Sequence, residues 1–155
     1  MRLMSLAALA AALTVATAVA ANPQTDYLTA NAKKPGVKVA DGGLQYKVIK
    51  SGKGKMPGSE DCATVNYKGS FIDGRVFDQS HPGAPITFPV QGVIKGWTMA
   101  LQKMHEGDEW ELTIPSDLGY GDRGTPGGPI PGGATLIFNV ELLKVSPSQM
   151  GQCPA

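Results

Sequence analysis

The chain has 155 residues, a single-domain length, and its composition excludes several classes of protein. Lys and Arg number 14 and Asp and Glu number 13. The chain therefore lacks both the basic excess of a nucleic-acid-binding protein and the acidic excess of a disordered tail. Apolar residues make up 42%, enough for one core, and the 20 Gly and 12 Pro cluster at a few places. That clustering indicates turns in a β-rich fold.

The first 21 residues have the pattern of an export signal. Arg2 supplies a positive start, residues 3–21 carry no charge, and Ala18-Val19-Ala20 is typical of a cleavage site. A transmembrane anchor is the alternative, but the stretch is Ala-rich and only weakly apolar. We therefore expect an exported protein, periplasmic in a Gram-negative bacterium and otherwise secreted, with no membrane contact after removal of residues 1–21.

Residues 22–43 predict a short helix followed by a linker. Asn22 is a good N-cap, Pro23 suits the first helical position, and the helix should end near Lys33. A helix of this length is not stable alone, so docking on the domain, a weak self-contact and fraying all fit the sequence. We expect residues 36–43 to form the linker.

The rest of the chain alternates apolar and polar residues, as half-buried strands do. Asp73-Gly74 predicts a hairpin turn, and residues 93–101 have the apolar face of a helix. We expect an α+β fold, in which an antiparallel, twisted β-sheet wraps over one short amphipathic helix. This domain would span residues 44–146, with a tail over residues 147–155. The predicted strands are 44–50, 63–67, 76–77, 86–90, 109–114 and 135–145.

The chain contains two cysteines, Cys62 and Cys153. An exported protein meets an oxidising compartment, so a disulfide between them is allowed. In the chain-entropy model, closing a loop of about ninety residues would stabilise the fold by roughly 4–5 kcal/mol. Two independent thiols are the alternative. Because two cysteines without a nearby histidine cannot form a tetrahedral zinc site, we expect no metal.

The histidines offer little evidence for polar catalysis. His81 and His105 lie in predicted turns, and neither adjoins a Ser or Cys in a nucleophile motif. The sequence contains no phosphate-binding Gly-rich loop and no His-Glu-x-x-His pattern. A serine hydrolase would still need a reactive Ser near one of these histidines, since catalytic triads assemble from distant parts of a chain.

Five aromatic residues stand at segment ends and in loops. For any one of them, a place in the core is the ordinary interpretation. The sharper hypothesis is that together they line one concave apolar site. Tyr120 favours it, because a core tyrosine is unusual inside a loop rich in Gly and Pro. The five are Tyr67, Phe77, Trp97, Tyr120 and Phe138.

Several motifs, in order, resemble the FKBP-type peptidyl-prolyl cis-trans isomerases, over roughly Leu44 to Val145. The stretch Asn31–Lys38, continuing into Gly43–Tyr46, resembles the exported bacterial members of the macrophage infectivity potentiator group. Their long helical dimerisation arm has no counterpart before this junction, so we expect a monomer. The motifs are Thr64-Val65-Asn66-Tyr67-Lys68-Gly69, Asp73-Gly74-Arg75-Val76-Phe77-Asp78-Gln79-Ser80, Val93-Ile94-Lys95-Gly96-Trp97, Leu118-Gly119-Tyr120-Gly121, and Ile130-Pro131 followed by Ala134-Thr135-Leu136-Ile137-Phe138.

The resemblance implies three catalytic residues, Asp78, Tyr120 and Ile94. The Ile94 N–H and the Tyr120 hydroxyl would hydrogen-bond substrate carbonyls, and Asp78 would hold the polar edge of the pocket. Ile86 stands where the family often has an aromatic residue, which bears on peptide preference. The implied substrate-binding residues, with Trp97 as the floor, are Tyr67, Phe77, Phe88, Val93, Trp97, Ile130 and Phe138.

The implied activity is cis/trans isomerisation of X-Pro bonds during the folding of exported proteins. An apolar pocket would stabilise the twisted amide, and the reaction would use no cofactor. Proline-containing polypeptides are the expected clients, macrolides are candidate inhibitors, and no nucleic acid is expected. The alternative is an FKBP-like client-binding chaperone module with weak or no catalysis.

Overall fold

The computed structural model describes residues 20–154, which form one antiparallel sheet of seven strands and two α-helices. The predicted fold class is confirmed. The predicted signal peptide lies almost entirely outside the described residues. The strands are β1 (Val37–Val39), β2 (Gln45–Lys50), β3 (Asp61–Ser70), β4 (Val76–Gln79), β5 (Ile86–Pro89), β6 (Glu109–Ile114) and β7 (Leu136–Pro147), and the helices are α1 (Pro23–Ala32) and α2 (Lys95–Leu101).

Strand β3 pairs with more strands than any other described strand of the sheet. The strand order is β1-β2-β6-β7-β3-β4, and β5 also pairs with β3. One edge of β3 pairs with β7 over its whole length. The other edge pairs first with β5, over residues 62–65, and then with β4, over residues 68–70. Strands β4 and β5 therefore both pair with the same edge of β3, and their side chains can meet over one end of the sheet.

Helix α2 packs closely against β6. A Cβ atom at Gly96 would lie 2.7 Å from the side chain of Ile114, so only glycine allows this approach. The apolar face predicted for this helix is buried, as Trp97, Ala100 and Leu101 show. The helix begins at Lys95, with Ile94 as its N-cap, so the first two residues of the predicted helix lie in the preceding loop.

Helix α1 docks on the sheet. Docking was one of the three alternatives that its sequence allows, beside a weak self-contact and fraying. Asn22 caps it as predicted and accepts a hydrogen bond from Gln24 N at 3.0 Å. At its other end, buried Asn31 donates to Gln45 Oε1 at 2.7 Å and to Thr113 Oγ1 at 3.1 Å. Polar side chains, which the apolar pattern does not register, therefore fix this helix to β2 and β6.

The expected linker over residues 36–43 is not a plain linker. It contains β1, which pairs with β2 through Val37–Val39, and a short 3-10 turn at Asp41–Gly43. Three alternating residues are too few to stand out as a strand in a sequence. Within residues 20–154, we find no helix with the length and apolar character needed to cross a bilayer.

The two cysteines are joined. A disulfide connects Cys62, in β3, to Cys153 in the C-terminal segment. Of the two arrangements that the sequence allows, the structure has the bonded one. The segment after β7 is thereby tied to the start of β3, at the end of this strand away from Tyr67.

Candidate active site

The predicted aromatic residues come together in one open cavity of about 430 Å³ over the end of β3. Five structural elements contribute to it: β3, β4, β5, β7 and the start of α2, together with the loop after β6. Nine of the ten residues expected in the pocket line it, and Gly92 is an additional lining residue. The lining residues are Tyr67, Phe77, Asp78, Phe88, Gly92, Val93, Ile94, Trp97, Tyr120 and Phe138.

Trp97 forms the floor of the cavity. Only 4% of its surface is exposed, and its ring meets three others edge-on. The ring centroids lie 5.3 Å away for Tyr67, 5.7 Å for Phe88 and 5.2 Å for Phe138. Edge-to-face packing is a favourable arrangement of aromatic rings. The floor and walls are therefore apolar and packed against one another.

Glycine at position 69 makes room for two of the wall residues. Gly69 lies in β3 below Phe77 and Phe138, whose rings pack edge-on at 5.5 Å. A Cβ atom there would lie 2.6 Å from the Phe138 ring and 2.7 Å from that of Phe77. The β3 motif thus supplies both Tyr67 and the space for the opposing wall.

The polar edge of the cavity is a single pair. The Tyr67 hydroxyl donates to Asp78 Oδ2 at 2.8 Å. Ser80 fixes the backbone beside this pair, because its Oγ accepts from Tyr67 N at 3.0 Å and its N–H donates to Tyr67 O at 2.9 Å. Asp78 makes no ion pair with any residue between 20 and 154. Its carboxylate thus keeps acceptor capacity facing the cavity.

Burial and the Asp78 carboxylate govern the ionisation of both tyrosines. Burial is the main cause that raises the pKa of Tyr67, to about 12, and its hydrogen bond to Asp78 adds to the effect. Burial, and then the charge of Asp78, also raises the pKa of Tyr120. Both hydroxyls therefore remain protonated donors throughout the neutral range.

Among the hydrogen-bond donors at the cavity, the Ile94 N–H and the Tyr120 hydroxyl have no partner in the described part of the chain. The Ile94 N–H immediately precedes α2, and no acceptor among residues 20–154 receives it. The Tyr120 hydroxyl is likewise unpaired there, and 40% of Tyr120 is exposed. Thr98 Oγ1 donates to Val90 O at 2.7 Å, which holds the loop carrying Ile94 against the helix.

Ile130 is the predicted pocket residue that the structure places elsewhere. It belongs to the hydrophobic core and is 5% exposed. Its carbonyl accepts from Thr125 N at 2.9 Å, and its N–H donates to Thr125 Oγ1 at 3.0 Å. These bonds close the loop and turn the Ile130 side chain inward, away from the cavity wall.

Sequence reasoning missed Gly92. It lines the cavity, and its N–H donates to Pro89 O at 2.9 Å in a tight turn. A Cβ atom at this position would lie 2.5 Å from Pro89 Cγ. The Pro-x-x-Gly spacing is a turn signal, but it does not indicate that the turn borders a pocket.

The cavity has no metal cluster beside it. Across residues 20–154, no group of three or more His, Cys, Asp or Glu side chains is arranged to hold a metal ion. What the site offers a ligand is an apolar floor with aromatic walls, two free donors and one carboxylate edge. It is suited to a small apolar ring with polar backbone groups on either side.

The fold and the site together define a class of protein. It is an α+β domain in which an aromatic-lined pocket lies over a short helix. The family profile described as FKBP-type peptidyl-prolyl cis-trans isomerase matches residues 53–143. A second profile, the domain amino terminal to FKBP-type peptidyl-prolyl isomerase, matches residues 4–48. The chain belongs to the FKBP-type peptidyl-prolyl cis-trans isomerase family.

Two curated relatives agree with this family assignment. Outer membrane protein MIP of Legionella longbeachae is 51% identical over 120 residues, which are 77% of this chain and 51% of that protein. The FKBP-type 22 kDa peptidyl-prolyl cis-trans isomerase of Escherichia coli is 52% identical over 77% of this chain and 58% of its own length. The chain thus spans about half the length of these curated relatives.

A solved structure resembles this chain over most of its own length. The crystal structure of a peptidyl-prolyl cis-trans isomerase from Pseudomonas syringae pv. tomato superposes with a TM-score of 0.75 at 38% identity. The match covers 79% of this chain and 90% of that one.

Proposed function

We propose that this protein catalyses cis/trans isomerisation of X-Pro peptide bonds in polypeptide clients. The observation that carries the proposal is the apolar, aromatic-lined cavity floored by Trp97, which has few polar groups at its edge. Proline is the residue that such a cavity fits, because its ring is compact and apolar while the flanking carbonyls need donors. Family membership supports the same activity.

The physical demand of the reaction matches these groups. Amide conjugation sets a rotation barrier of roughly 18–20 kcal/mol. No covalent bond breaks, so the enzyme needs only to bind the twisted amide better than either planar form. The twisted amide is less polar than the planar one, and an apolar, dehydrated pocket favours it over water. Each 1.36 kcal/mol of that preference gives about tenfold in rate. The reaction requires no cofactor.

We assign the roles within the cavity as follows. Trp97 supports the proline ring, and the side chains of Tyr67, Phe77 and Phe138 enclose it. The Ile94 N–H and the Tyr120 hydroxyl donate to the carbonyls on either side of the twisted bond. Lining residues that would complete the pocket are Phe88, Gly92 and Val93.

Asp78 acts in this scheme as an acceptor and not as a base. Its carboxylate orients the Tyr67 hydroxyl through the 2.8 Å hydrogen bond. Its remaining capacity is available to a client N–H or to the amide dipole as the bond turns. No proton needs to move for the C–N bond to rotate, so the rate should not follow the titration of a histidine.

We further propose that the protein is exported, acts as a monomer and binds macrolides in the same cavity. The pattern of residues 1–21 supports export. The absence of a long helical arm before residue 31 supports a monomer. Light scattering after size exclusion measures the oligomeric state.

The test is the rate at which an Ala-Leu-Pro-Phe peptide isomerises with and without the protein, in the presence and absence of rapamycin. We expect strong acceleration that the macrolide abolishes. If the folded protein binds unfolded clients but does not accelerate isomerisation, the function is client binding and the proposed catalysis is wrong.

A further inference from the structure

The disulfide is enclosed on one side only. Cys62 is the second residue of β3 and has no exposed surface. It is flanked by Pro89 of β5 on one edge and by Ser146 of β7 on the other. Its sulfur is therefore shielded from solvent, and an external reagent cannot reach it while the domain stays folded.

Cys153 faces an open cleft. It is partly exposed and lines a depression of about 340 Å³ in the C-terminal segment. The other lining residues are Gln149, Met150, Gln152 and Pro154, and the Met150 side chain is fully exposed. The two cysteines of one disulfide thus differ in their access to solvent.

The segment that carries Cys153 has few other ties. Gln149 and Gln152 hydrogen-bond each other across a tight turn, at 2.8 and 2.9 Å. Met150 and Gly151 form the tip of this turn, and both have positive φ, of 52° and 76°. Among the described residues, 148–154 make no hydrogen bond to the rest of the domain. The disulfide is the tether of this segment.

Thiol–disulfide exchange requires the attacking thiolate, the attacked sulfur and the leaving sulfur to lie nearly in line, and access decides which sulfur is attacked. Attack on Cys62 would require a thiolate to reach a residue that has no exposed surface. Attack on Cys153 requires access only to a partly exposed residue that lines the cleft. The difference in burial favours the second reaction.

We propose that the Cys62–Cys153 bond is a one-sided exchange site, at which an external thiolate attacks Cys153 alone and releases the C-terminal segment. The thiolate forms a bond to Cys153 Sγ, the bond between the two cysteines breaks, and its electron pair leaves with Cys62 Sγ, which takes a proton. No net oxidation occurs in this step. A second thiol of a dithiol reagent can then attack the mixed disulfide, and the dithiol is oxidised as Cys153 becomes a free thiol.

The same asymmetry fixes what the exchange leaves unchanged. Tyr67 is five residues beyond Cys62, and the intervening part of β3 stays paired with β5 and β7 through its backbone. We therefore expect the released segment to become mobile while the cavity keeps its shape. The exchange site is a modification site separate from the proline pocket.

The experiment treats the folded full chain with glutathione, quenches with acid, alkylates free thiols and maps both cysteines by mass spectrometry. We expect glutathione on Cys153 and the alkyl group on Cys62, with a preference of more than about tenfold. Dithiothreitol forms the second arm and should leave both cysteines alkylated. Hydrogen exchange should rise in residues 148–154 of the glutathione adduct and stay unchanged in β3.

The control is the same reaction in concentrated urea, where both sulfurs are exposed and the preference should disappear. Glutathione on Cys62, or an equal split in the folded protein, would overturn the proposal. So would a bond that reacts in urea but resists glutathione in the folded state, because the cleft would then give no access.

Discussion

Carboxylates at the two ends of the sheet have opposite surroundings. Asp78, at the cavity, is exposed and accepts one hydrogen bond, from Tyr67. Asp108, in the turn before β6, is only 4% exposed and accepts from the backbone N–H groups of Gly52 and His105. Close to it, Glu106 accepts from Lys55 N at 3.1 Å and from Val145 N at 2.7 Å.

The difference separates fold from function. The carboxylate oxygens of Asp108 and Glu106 accept hydrogen bonds from backbone N–H groups, and these bonds join the loop after β2 to the turn before β6. The Asp78 carboxylate accepts one hydrogen bond within residues 20–154 and can accept others from a ligand. A buried carboxylate with satisfied partners is thus expected to control stability, and an exposed one with free capacity is expected to control rate.

The largest expected effect comes from replacing Asp108 by alanine. This change leaves the partly buried backbone N–H groups of Gly52 and His105 without acceptors, and an unsatisfied buried donor costs about 1–3 kcal/mol. We expect the free energy of unfolding to fall by about 3 kcal/mol, measured by urea denaturation. Asp117→Ala, at an exposed position, is the matched control and should have little effect. An Asp108→Ala protein as stable as wild type would break the comparison.

Replacing Asp78 by alanine should lower activity and leave stability nearly unchanged. We expect almost no change in stability and a fall of roughly 10- to 100-fold in kcat/KM for the tetrapeptide, equivalent to about 1.4–2.7 kcal/mol of lost transition-state stabilisation. Asp78→Asn, which retains an acceptor oxygen for Tyr67, should lose less. Equal activity in all three proteins would remove Asp78 from the mechanism.

Asn31→Ala tests a third arrangement, in which a buried amide docks a helix. The variant loses the bonds to Gln45 and Thr113, and we expect a stability loss of about 1–2 kcal/mol. Hydrogen exchange should quicken in α1 while kcat/KM stays near that of wild type. Thr29→Ala, on the exposed side of the same helix, is the control. Unchanged protection in α1 would show that the polar contacts do not hold it.

The smallest expected effect is on the thermal stability of the protein at acidic pH. The backbone N–H groups of Val145 and then Lys55 lower the pKa of Glu106. Because the folded pKa is below the unfolded one, the stabilisation is present above the unfolded pKa and is lost as pH falls through the folded pKa. We expect the Tm of wild type to drop more than that of Glu106→Gln between about pH 5 and pH 3. Parallel Tm curves would contradict this.

Much of the site could be predicted because the motifs that carry it follow one another along the chain. The site roles of Asp78, Ile94 and Phe88 follow from the resemblance to the FKBP-type family, and the alternation of apolar residues does not indicate them. Period and turn chemistry predict the hairpin that precedes Phe77 and the apolar helix face that carries Trp97. The fold class follows from the same alternation.

Other features depend on contacts that neither the apolar period nor the turn signals specify. Ile130 has the same apolar character as a pocket residue, and only its bonds with Thr125 turn it into the core. Gly92 borders the cavity because of where the β5 turn ends. The docking of α1 depends on Asn31 meeting Thr113, which is 82 residues away. Local pattern carries no information about such pairs.

The central claim is that the cavity accelerates rotation without transferring a proton, and the pH dependence of kcat/KM tests it most directly. Tyr67, with its pKa raised to about 12, stays protonated, so its bond to Asp78 persists across the neutral range. We predict a kcat/KM that changes less than about twofold between about pH 6 and pH 9. A bell-shaped profile centred near the pKa of a histidine would contradict the account, because it would mean that His81 or His105 moves a proton in the rate-limiting step.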